Sequence, residues 1–369
     1  MTLSTLKEFF RKCTEPEPPP APQLPPRFKH RGLEKREIRL LEVYSEAVDD
    51  VPSFRVAHYP RYAGPVYVAV SYCWSQPWDR TREHIRLDDL DFEVGSSLFE
   101  CLRTISRSNG PNARPYSRIW VDAICIDQSN VTERNHQVGT MDTIYANAES
   151  VVAWIMPDTP TYLSTEGPTD WIEVQWTPIA ISRYWTRRWV LQELSLAKDV
   201  ELFWGPNYRT TWKTFVARVR RGAPYFPHPA SALIGAREVG EKESLWQLLV
   251  RYTHCNCSDA RDRVFALMSL MVDEERAALD QYFPDYSMTA QAVHRVAVAH
   301  LRRFSDDYWN LRYEQVFRSL GVLDKDAQRQ LWTTAAEAYR HPSFANYAGR
   351  SIDRGKAELL DATMLERLR

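Results

Sequence analysis

The segment YVAVSY at residues 67–72 is the strongest indication of the fold, because it is a short and nearly continuous apolar run. Such a run is typical of a strand that is buried on both faces of a parallel sheet. The pattern Ser97-x-x-Glu100 follows it and has the form of a capping box, which marks the start of a helix. We therefore predict a strand over 67–72 and a helix over 97–108.

The same alternation of strand and helix continues downstream. Further strands are predicted at 118–123, 150–155 and 200–204, and further helices after the capping box Asn130-x-x-Glu133 and over 182–197. This β-α-β-α-β-α-β order predicts an α/β fold, a mostly parallel, flavodoxin-like sheet flanked by helices, with the 67–72 strand at its centre. Two upstream segments, 38–41 and 54–56, are predicted edge strands.

The chain divides into three parts by composition. Residues 1–35 are predicted to be a Pro-rich flexible segment, with seven prolines in 14–26 that should leave its amides open to rapid hydrogen exchange. Residues 36–209 form the α/β core, in which 156–181 is a long loop. Residues 210–369 are predicted to be a mainly helical region packed on the core, since 242–254, 260–272 and 287–304 have apolar residues at helical spacing.

Composition excludes several classes of protein. The chain has 369 residues with 47 Lys and Arg against 48 Asp and Glu, so it lacks the basic surplus of a nucleic-acid binder. No apolar run approaches the roughly 18 residues of a membrane span, and the first residues lack the apolar region of a signal peptide. Six scattered cysteines then favour reduced thiols and a cytoplasmic location. The His254-Cys-Asn-Cys257 cluster has no second pair of ligands, so we predict no metal site.

Several blocks of the sequence together resemble one family. They are Tyr67–Trp74, Ile119–Gln128, the set Glu133, Arg134, Gln137, Met141, Ile144, Tyr145, Ala148, Val151 and Trp154, the set Arg187, Trp189, Gln192, Glu193 and Ala197, then Asp259–Leu267 and Pro284–Ser287. These blocks resemble the HET domain, the heterokaryon-incompatibility module of filamentous fungi. The sequence departs from the family pattern at Ser75, Asp127 and Met156. The resemblance covers roughly residues 36–300 and implies an effector of programmed cell death in fungal innate immunity, with an incompatibility partner protein or self-association.

A second, more remote similarity is to TIR domains. The segment Trp189-Val-Leu-Gln-Glu-Leu194 resembles their Trp-Cys-x-x-Glu-Leu signature, with Val190 in the Cys position. Many TIR domains cleave NAD, and the Glu of that signature is their catalytic residue. The resemblance therefore implies NAD as substrate rather than as a bound cofactor, and it implies a catalytic role for Glu193.

The predicted site combines these residues with the strand ends. Ligands of open α/β sheets bind at the carboxyl ends of the strands, where Asp122 lies. We predict one pocket in which Glu193 and Asp122 are catalytic and the following residues bind the nucleotide: Ser71, Tyr72, Trp120, Asp127, Gln128 and Trp189. On this hypothesis Glu193→Gln abolishes cell killing and leaves the fold intact.

Each candidate also has a structural alternative. Glu193 could pair with Arg183, Arg187 or Arg188, and Asp122 could fix its loop through backbone N–H groups. Ser71 and Tyr72 could be a satisfied buried pair, Glu133 a helix cap, and the tryptophans core. Two functions follow: an NAD glycohydrolase, or a scaffold that signals through contacts alone. The first function requires Glu193 to line a cleft with Asp122. The second is consistent with a Glu193 that is blocked by an ion pair with an arginine.

Overall fold

A computed structural model of the protein describes residues 26–43, 51–74, 81–107, 116–156, 176–205, 208–222, 229–304 and 309–340. Nine strands form one mixed sheet in the order β5-β4-β2-β1-β6-β3-β7-β8-β9. The strands are β1 (Glu37–Val43), β2 (Ser53–Pro60), β3 (Val68–Tyr72), β4 (Arg82–Leu87), β5 (Leu90–Gly95), β6 (Arg118–Trp120), β7 (Val151–Trp154), β8 (Val200–Phe203) and β9 (Arg209–Thr211).

The four strands that carry the site are parallel. Strand β3 lies between β6 and β7, and β7 pairs with β8. All five residues of β3 are buried, as its apolar sequence predicts. Among themselves these strands lie in the order 2-1-3-4, which is how flavodoxin-like sheets begin. The predicted α/β architecture and the central position of the 67–72 strand are confirmed.

The prediction that 38–41 and 54–56 lie in edge strands is wrong. Strands β1 and β2 are interior, because β1 pairs with β6 and β2 pairs with β4. The sheet is extended beyond them by the β4–β5 hairpin, whose turn residues Asp88 and Asp89 have φ values of 50° and 64°. Both central residues of such a tight hairpin need positive φ, which Asp tolerates better than most residues.

The helices of the core are α1 (Ser96–Ser106), α2 (Asp122–Cys125), α3 (Val131–Val138), α4 (Met141–Asn147), α5 (Trp176–Ala180) and α6 (Arg188–Ser195), with a 3₁₀ turn at Arg183–Thr186. The first predicted capping box is wrong, since the N-cap of α1 is Gly95 and Glu100 pairs with Arg103 instead. The second is half right. Asn130 caps α3 by accepting from the Glu133 N–H, but the Glu133 side chain pairs with Arg39.

The predicted continuous helix over 182–197 is broken at Arg187, which has an extended backbone. A tertiary contact causes the break. The Arg188 N–H donates to the Asn256 carbonyl at 2.8 Å, and the Asn256 N–H donates to the Thr186 carbonyl at 2.6 Å. This short β-bridge takes backbone groups that a continuous helix would use internally.

The C-terminal part is helical, as predicted. Its helices are α7 (Trp212–Gly222), α8 (Pro229–Val239), α9 (Leu245–Arg251), α10 (Asp262–Phe265), α11 (Asp273–Leu279), α12 (Ala290–Phe304), α13 (Trp309–Ser319) and α14 (Lys325–Arg340). The buried side chain of Arg188 joins this part to the core. It donates to the carbonyls of Arg263, Tyr252 and Cys255 and to the Ser319 hydroxyl.

Two sequence expectations fall outside the described residues. The Pro-rich segment 14–26 is one, apart from Pro26, whose carbonyl accepts from the Asp91 N–H at 3.1 Å. Most of the predicted 156–181 loop is the other, although residues 176–180 of that loop form α5. No helix in the described ranges is both long and apolar enough to cross a bilayer.

We expect Gly321→Ala to destabilise the protein. Gly321 has a φ of +76°, and a Cβ there would lie 2.9 Å from the Arg263 guanidinium carbon. The left-handed backbone alone costs a side-chain residue about 1–2 kcal/mol. Urea denaturation should show a loss of at least that size in the free energy of unfolding.

Gly235→Ala is the matched control for this substitution. Gly235 lies within α8, and a Cβ added there would have no other atom within 4 Å. Alanine there should raise the free energy of unfolding by up to about 1 kcal/mol. Equal effects of the two substitutions would contradict the backbone explanation.

Candidate functional site

A cleft of about 570 Å³ opens at the carboxyl ends of β3 and β6. This volume lies within the range of small-molecule sites. Its core wall is formed by Cys73, Trp74, Asp122, Ile126, Gln128, Arg134, Val138 and Met141; the segment around the break at Arg187 adds Arg183, Thr186, Arg187, Arg188 and Trp189; the C-terminal part adds Asn256, Cys257, Ser258, Asp259, Asp262 and Tyr286. The cleft is therefore a composite of the α/β core and the C-terminal part.

Asp122 is held rigidly in the wall of this cleft. It begins α2 directly after β6, and its Oδ1 accepts the Ala123 N–H at 2.7 Å. The indole of Trp74 donates to both carboxylate oxygens at 3.1 and 3.0 Å. Gln128 donates to the Asp122 backbone carbonyl at 2.9 Å, which fixes the turn below the carboxylate.

The surroundings raise the pKa of Asp122 from 3.8 to about 7. Removal from bulk water is the largest cause, and the nearby Glu193 charge adds to it, while Arg187 and the Trp74 hydrogen bond act in the opposite direction. A carboxyl group that titrates near neutral pH can gain or lose a proton under physiological conditions. Asp122 therefore has the properties of an acid–base residue.

We expect this pKa to make stability depend on pH. Because the folded-state pKa is raised, the native state binds a proton more tightly than the unfolded state, so stability is lost as pH rises from about 4 to about 7. Asp122→Asn removes the titration. Urea denaturation should find the variant similar to wild type at pH 4 and more stable than wild type at pH 7.5. A difference that stays constant across this range would contradict the assignment.

Glu193 does not line the cleft, contrary to the prediction of a pocket shared with Asp122. It is 1% exposed and lies behind Arg187, whose Nη1 is 3.6 Å from the Glu193 Oε2. The Ser71 hydroxyl donates to Glu193 and is 2.6 Å from the Tyr184 hydroxyl. Burial raises the pKa of Glu193, and Arg187 and Ser71 oppose that shift. The ion-pair alternative is thus the arrangement found.

The other predicted ligand contacts separate into two groups. Gln128 and Trp189 line the cleft together with Asp122. Ser71, Tyr72 and Trp120 are buried, and Asp127 is partly exposed but lies outside the cleft lining. Trp120 is fully buried and makes a T-shaped contact with Tyr145 in the core, so its ring is not accessible for a ligand to stack on. Whether a strand residue points into the core or toward the cleft depends on the register of its strand. The sequence motif alone does not show that register.

Sequence reasoning did not select the carboxylate of Asp262, which lies in the C-terminal wall of the cleft. It accepts from the Tyr286 hydroxyl at 2.6 Å and from the Trp189 indole at 3.0 Å. Removal from water raises its pKa to about 6, against the lowering effect of these two hydrogen bonds. Asp262 and Tyr286 lie in the family-like sequence blocks Asp259–Leu267 and Pro284–Ser287. The sequence therefore marked these residues, but it did not show that they share a cleft with Asp122.

The described residues hold no cluster of three or more His, Cys, Asp or Glu side chains that could bind a metal ion. Five cysteines in this part of the chain are free thiols, and four of them are buried. Two of the five, Cys73 and Cys257, line the cleft, and burial raises the pKa of Cys257 to about 11. Its thiol is therefore protonated near neutral pH.

Comparison with known proteins identifies similarities for part of the chain. Residues 67–193 match the family model described as heterokaryon incompatibility protein (HET). Heterokaryon incompatibility protein 6, OR allele, of Neurospora crassa is 33% identical over 102 residues, which are 25% of this chain and 15% of that protein. Vegetative incompatibility protein HET-E-1 of Podospora anserina is 26% identical over 156 residues, which are 42% of this chain and 10% of that protein. No solved structure matches the chain significantly.

The matched range begins at the residue before β3 and ends in α6, at Glu193. It includes Asp122 and the core wall of the cleft, and it leaves out the wall at 256–286. The chain covers less than a fifth of the length of either relative.

Proposed function

We propose, from the HET-family match of residues 67–193, that this protein is a heterokaryon-incompatibility effector whose cleft binds NAD and hydrolyses its nicotinamide–ribose bond. The observation that carries the chemical part is Asp122, a carboxylate with a pKa near 7 that Trp74 orients in a cleft at the ends of parallel strands. The similarity of Trp189–Leu194 to the TIR signature suggests the substrate. Free thiols in the described residues are in keeping with action in the reducing cytoplasm.

The proposed reaction needs one carboxylate at the ribose. The bond between C1′ and the nicotinamide nitrogen breaks, and its electron pair goes to the positively charged nitrogen, so neutral nicotinamide leaves without a proton donor. The Asp122 carboxylate stabilises the positive charge that develops on the ribose. Water then attacks C1′ and gives a proton to Asp122, which yields ADP-ribose. A pKa near 7 suits this base at neutral pH.

Two indoles offer flat surfaces for the bases of the dinucleotide. Trp74 is 44% exposed, and Trp189 is half-buried in the opposite part of the lining. Their N–H groups donate to Asp122 and Asp262, which fixes both rings. Indole faces stack readily on flat heterocycles.

In this proposal Glu193 is a positioning residue rather than the group that touches the ribose. Its ion pair holds Arg187 in the cleft wall, and its charge contributes to the raised pKa of Asp122. Glu193→Gln should therefore shift the acidic limb of the pH–rate profile to lower pH in addition to lowering the rate, because the Asp122 pKa falls when a neighbouring negative charge is removed.

The test is NAD consumption by the purified protein at high concentration, with nicotinamide and ADP-ribose measured together. Equal amounts of the two products are expected. The ion pair between Arg187 and the buried Glu193 favours the alternative, a scaffold that acts through contacts alone. A folded protein that induces cell death in a fungal host but consumes no NAD would establish that alternative.

A further inference from the structure

The side chain of Arg134 is a cation in the cleft wall that has no hydrogen-bonded or ion-paired carboxylate within the described ranges, although its charge acts on Asp259 at longer range. None of its guanidinium nitrogens forms a hydrogen bond or an ion pair there, and its buried Nε is without a partner. Its contact is with the ring of Tyr286, which lies 4.1 Å from the guanidinium carbon. By contrast, the terminal nitrogens of the buried Arg39 and Arg188 are occupied by carboxylate, hydroxyl or carbonyl oxygens.

Arg134 is held in position although it lacks a polar partner. Tyr286, whose ring lies beneath it, is fixed at both ends. The Tyr286 hydroxyl donates to Asp262, and the Tyr286 backbone N–H donates to the Asn135 side-chain oxygen at 2.8 Å. A planar guanidinium stacked on an aromatic ring loses little further freedom when it binds an oxyanion. The Arg134 guanidinium is therefore already positioned to bind an anionic ligand.

Arg187 adds a second incompletely partnered cation to the same lining. Its Nη1 is buried without a hydrogen bond, because the Glu193 oxygen at 3.6 Å is beyond hydrogen-bond distance. A charge-assisted contact to a ligand would satisfy it.

The carboxylates of the cleft are engaged elsewhere. Asp259 receives two hydrogen bonds from the Arg261 guanidinium, at 2.9 and 2.6 Å. Asp262 accepts from Trp189 and Tyr286, and Asp122 accepts from Trp74. The Arg134 guanidinium and the Arg187 Nη1 therefore keep hydrogen-bonding capacity for an anionic ligand.

We propose that Arg134 and Arg187 form an oxyanion subsite that binds the diphosphate group of a nucleotide. That the ligand is a nucleotide rests on the proposed function. The two arginines indicate which group of the nucleotide is bound here. Guanidinium groups bind phosphate oxygens with the strongest of the common polar contacts.

The test compares ADP with adenosine, which differ only in the diphosphate, by titration calorimetry on the full chain. ADP should bind at least about tenfold more tightly than adenosine, since a single hydrogen bond to a charged group contributes at least about that factor. Arg134→Gln should weaken ADP binding by about the same factor and leave adenosine unaffected. Arg134→Lys should restore part of the loss, because it keeps the charge but not the planar fork.

Arg220→Gln is the matched control, because Arg220 pairs with Glu238 on the exposed surface away from the cleft. It should leave ADP binding unchanged. Inorganic pyrophosphate should displace ADP from the wild-type protein, a measurement that needs no variant. Equal affinities for ADP and adenosine, failure of pyrophosphate to compete, or full ADP affinity in a folded Arg134→Gln variant would each overturn the subsite.

NAD turnover measured on the same samples separates this proposal from the preceding one. ADP binding that depends on Arg134 without NAD consumption would support the subsite and refute the hydrolase. NAD consumption with ADP binding that is independent of Arg134 would refute the subsite and support the hydrolase.

Discussion

Asp122→Asn is expected to lower the rate of NAD hydrolysis by about 100- to 10,000-fold, which is the usual contribution of a positioned acid–base group. Asparagine keeps the size of the side chain and can still accept from the Trp74 indole and the Ala123 N–H. It cannot carry the negative charge that stabilises the ribose cation or accept the proton of water. Nicotinamide release should be measured at saturating NAD, with circular dichroism as the check on folding.

Asp127→Asn is the control for this loss of activity. Asp127 lies five residues further along the same loop but outside the cleft lining, where it accepts hydrogen bonds from Ser129. Its substitution should leave the rate unchanged. A folded Asp122→Asn protein with wild-type turnover would remove the carboxylate from the proposed reaction.

The largest effect on stability is expected for Glu133→Gln. Arg39 is fully buried, and its two terminal nitrogens donate to the two Glu133 oxygens at 2.5 and 2.9 Å. Neutralising Glu133 leaves the Arg39 charge buried without a counter-charge, which typically costs about 3–5 kcal/mol. Urea denaturation should show a loss of that size in the free energy of unfolding.

Glu133 also accepts the Asp127 N–H at 2.8 Å, and Arg39 donates to the Cys125 carbonyl at 3.0 Å. The pair therefore fixes the loop that carries Gln128 into the cleft. Glu100→Gln is the control, since Glu100 and Arg103 form a surface pair of the kind that contributes about 0.2–1 kcal/mol. If both substitutions cost the same, the buried pair is not what holds the loop.

Local patterns in the sequence predicted the central strands because burial on both faces requires an uninterrupted apolar run. Strands β3, β6, β7 and β8 all lie where such runs occur. The β4–β5 hairpin was missed because its strands alternate charged and apolar residues around an Asp-Asp turn. Its presence is what places β2 inside the sheet, whereas β1 is interior because it lies between β2 and β6.

The candidate site was predicted in part. Asp122, Gln128 and Trp189 line the cleft because strand ends and the following loop meet at one edge of the sheet. Glu193 was expected beside them because it lies four residues after Trp189 on one helical face and in the segment that resembles the TIR signature. Arg187, in the extended segment before α6, lines the cleft instead, and Glu193 lies behind it.

The strand segments, the resemblance to the HET family and the carboxylate after β6 could all be predicted from the sequence, since each depends on residues that are near one another in the chain. Which charged side chains face the cleft follows from long-range packing. The bridge between Arg187 and Asn256, the Tyr286 platform under Arg134 and the position of Asp262 opposite the core all join residues separated by at least 69 positions. Such contacts form only when the C-terminal helices pack on the sheet, and no local pattern encodes them.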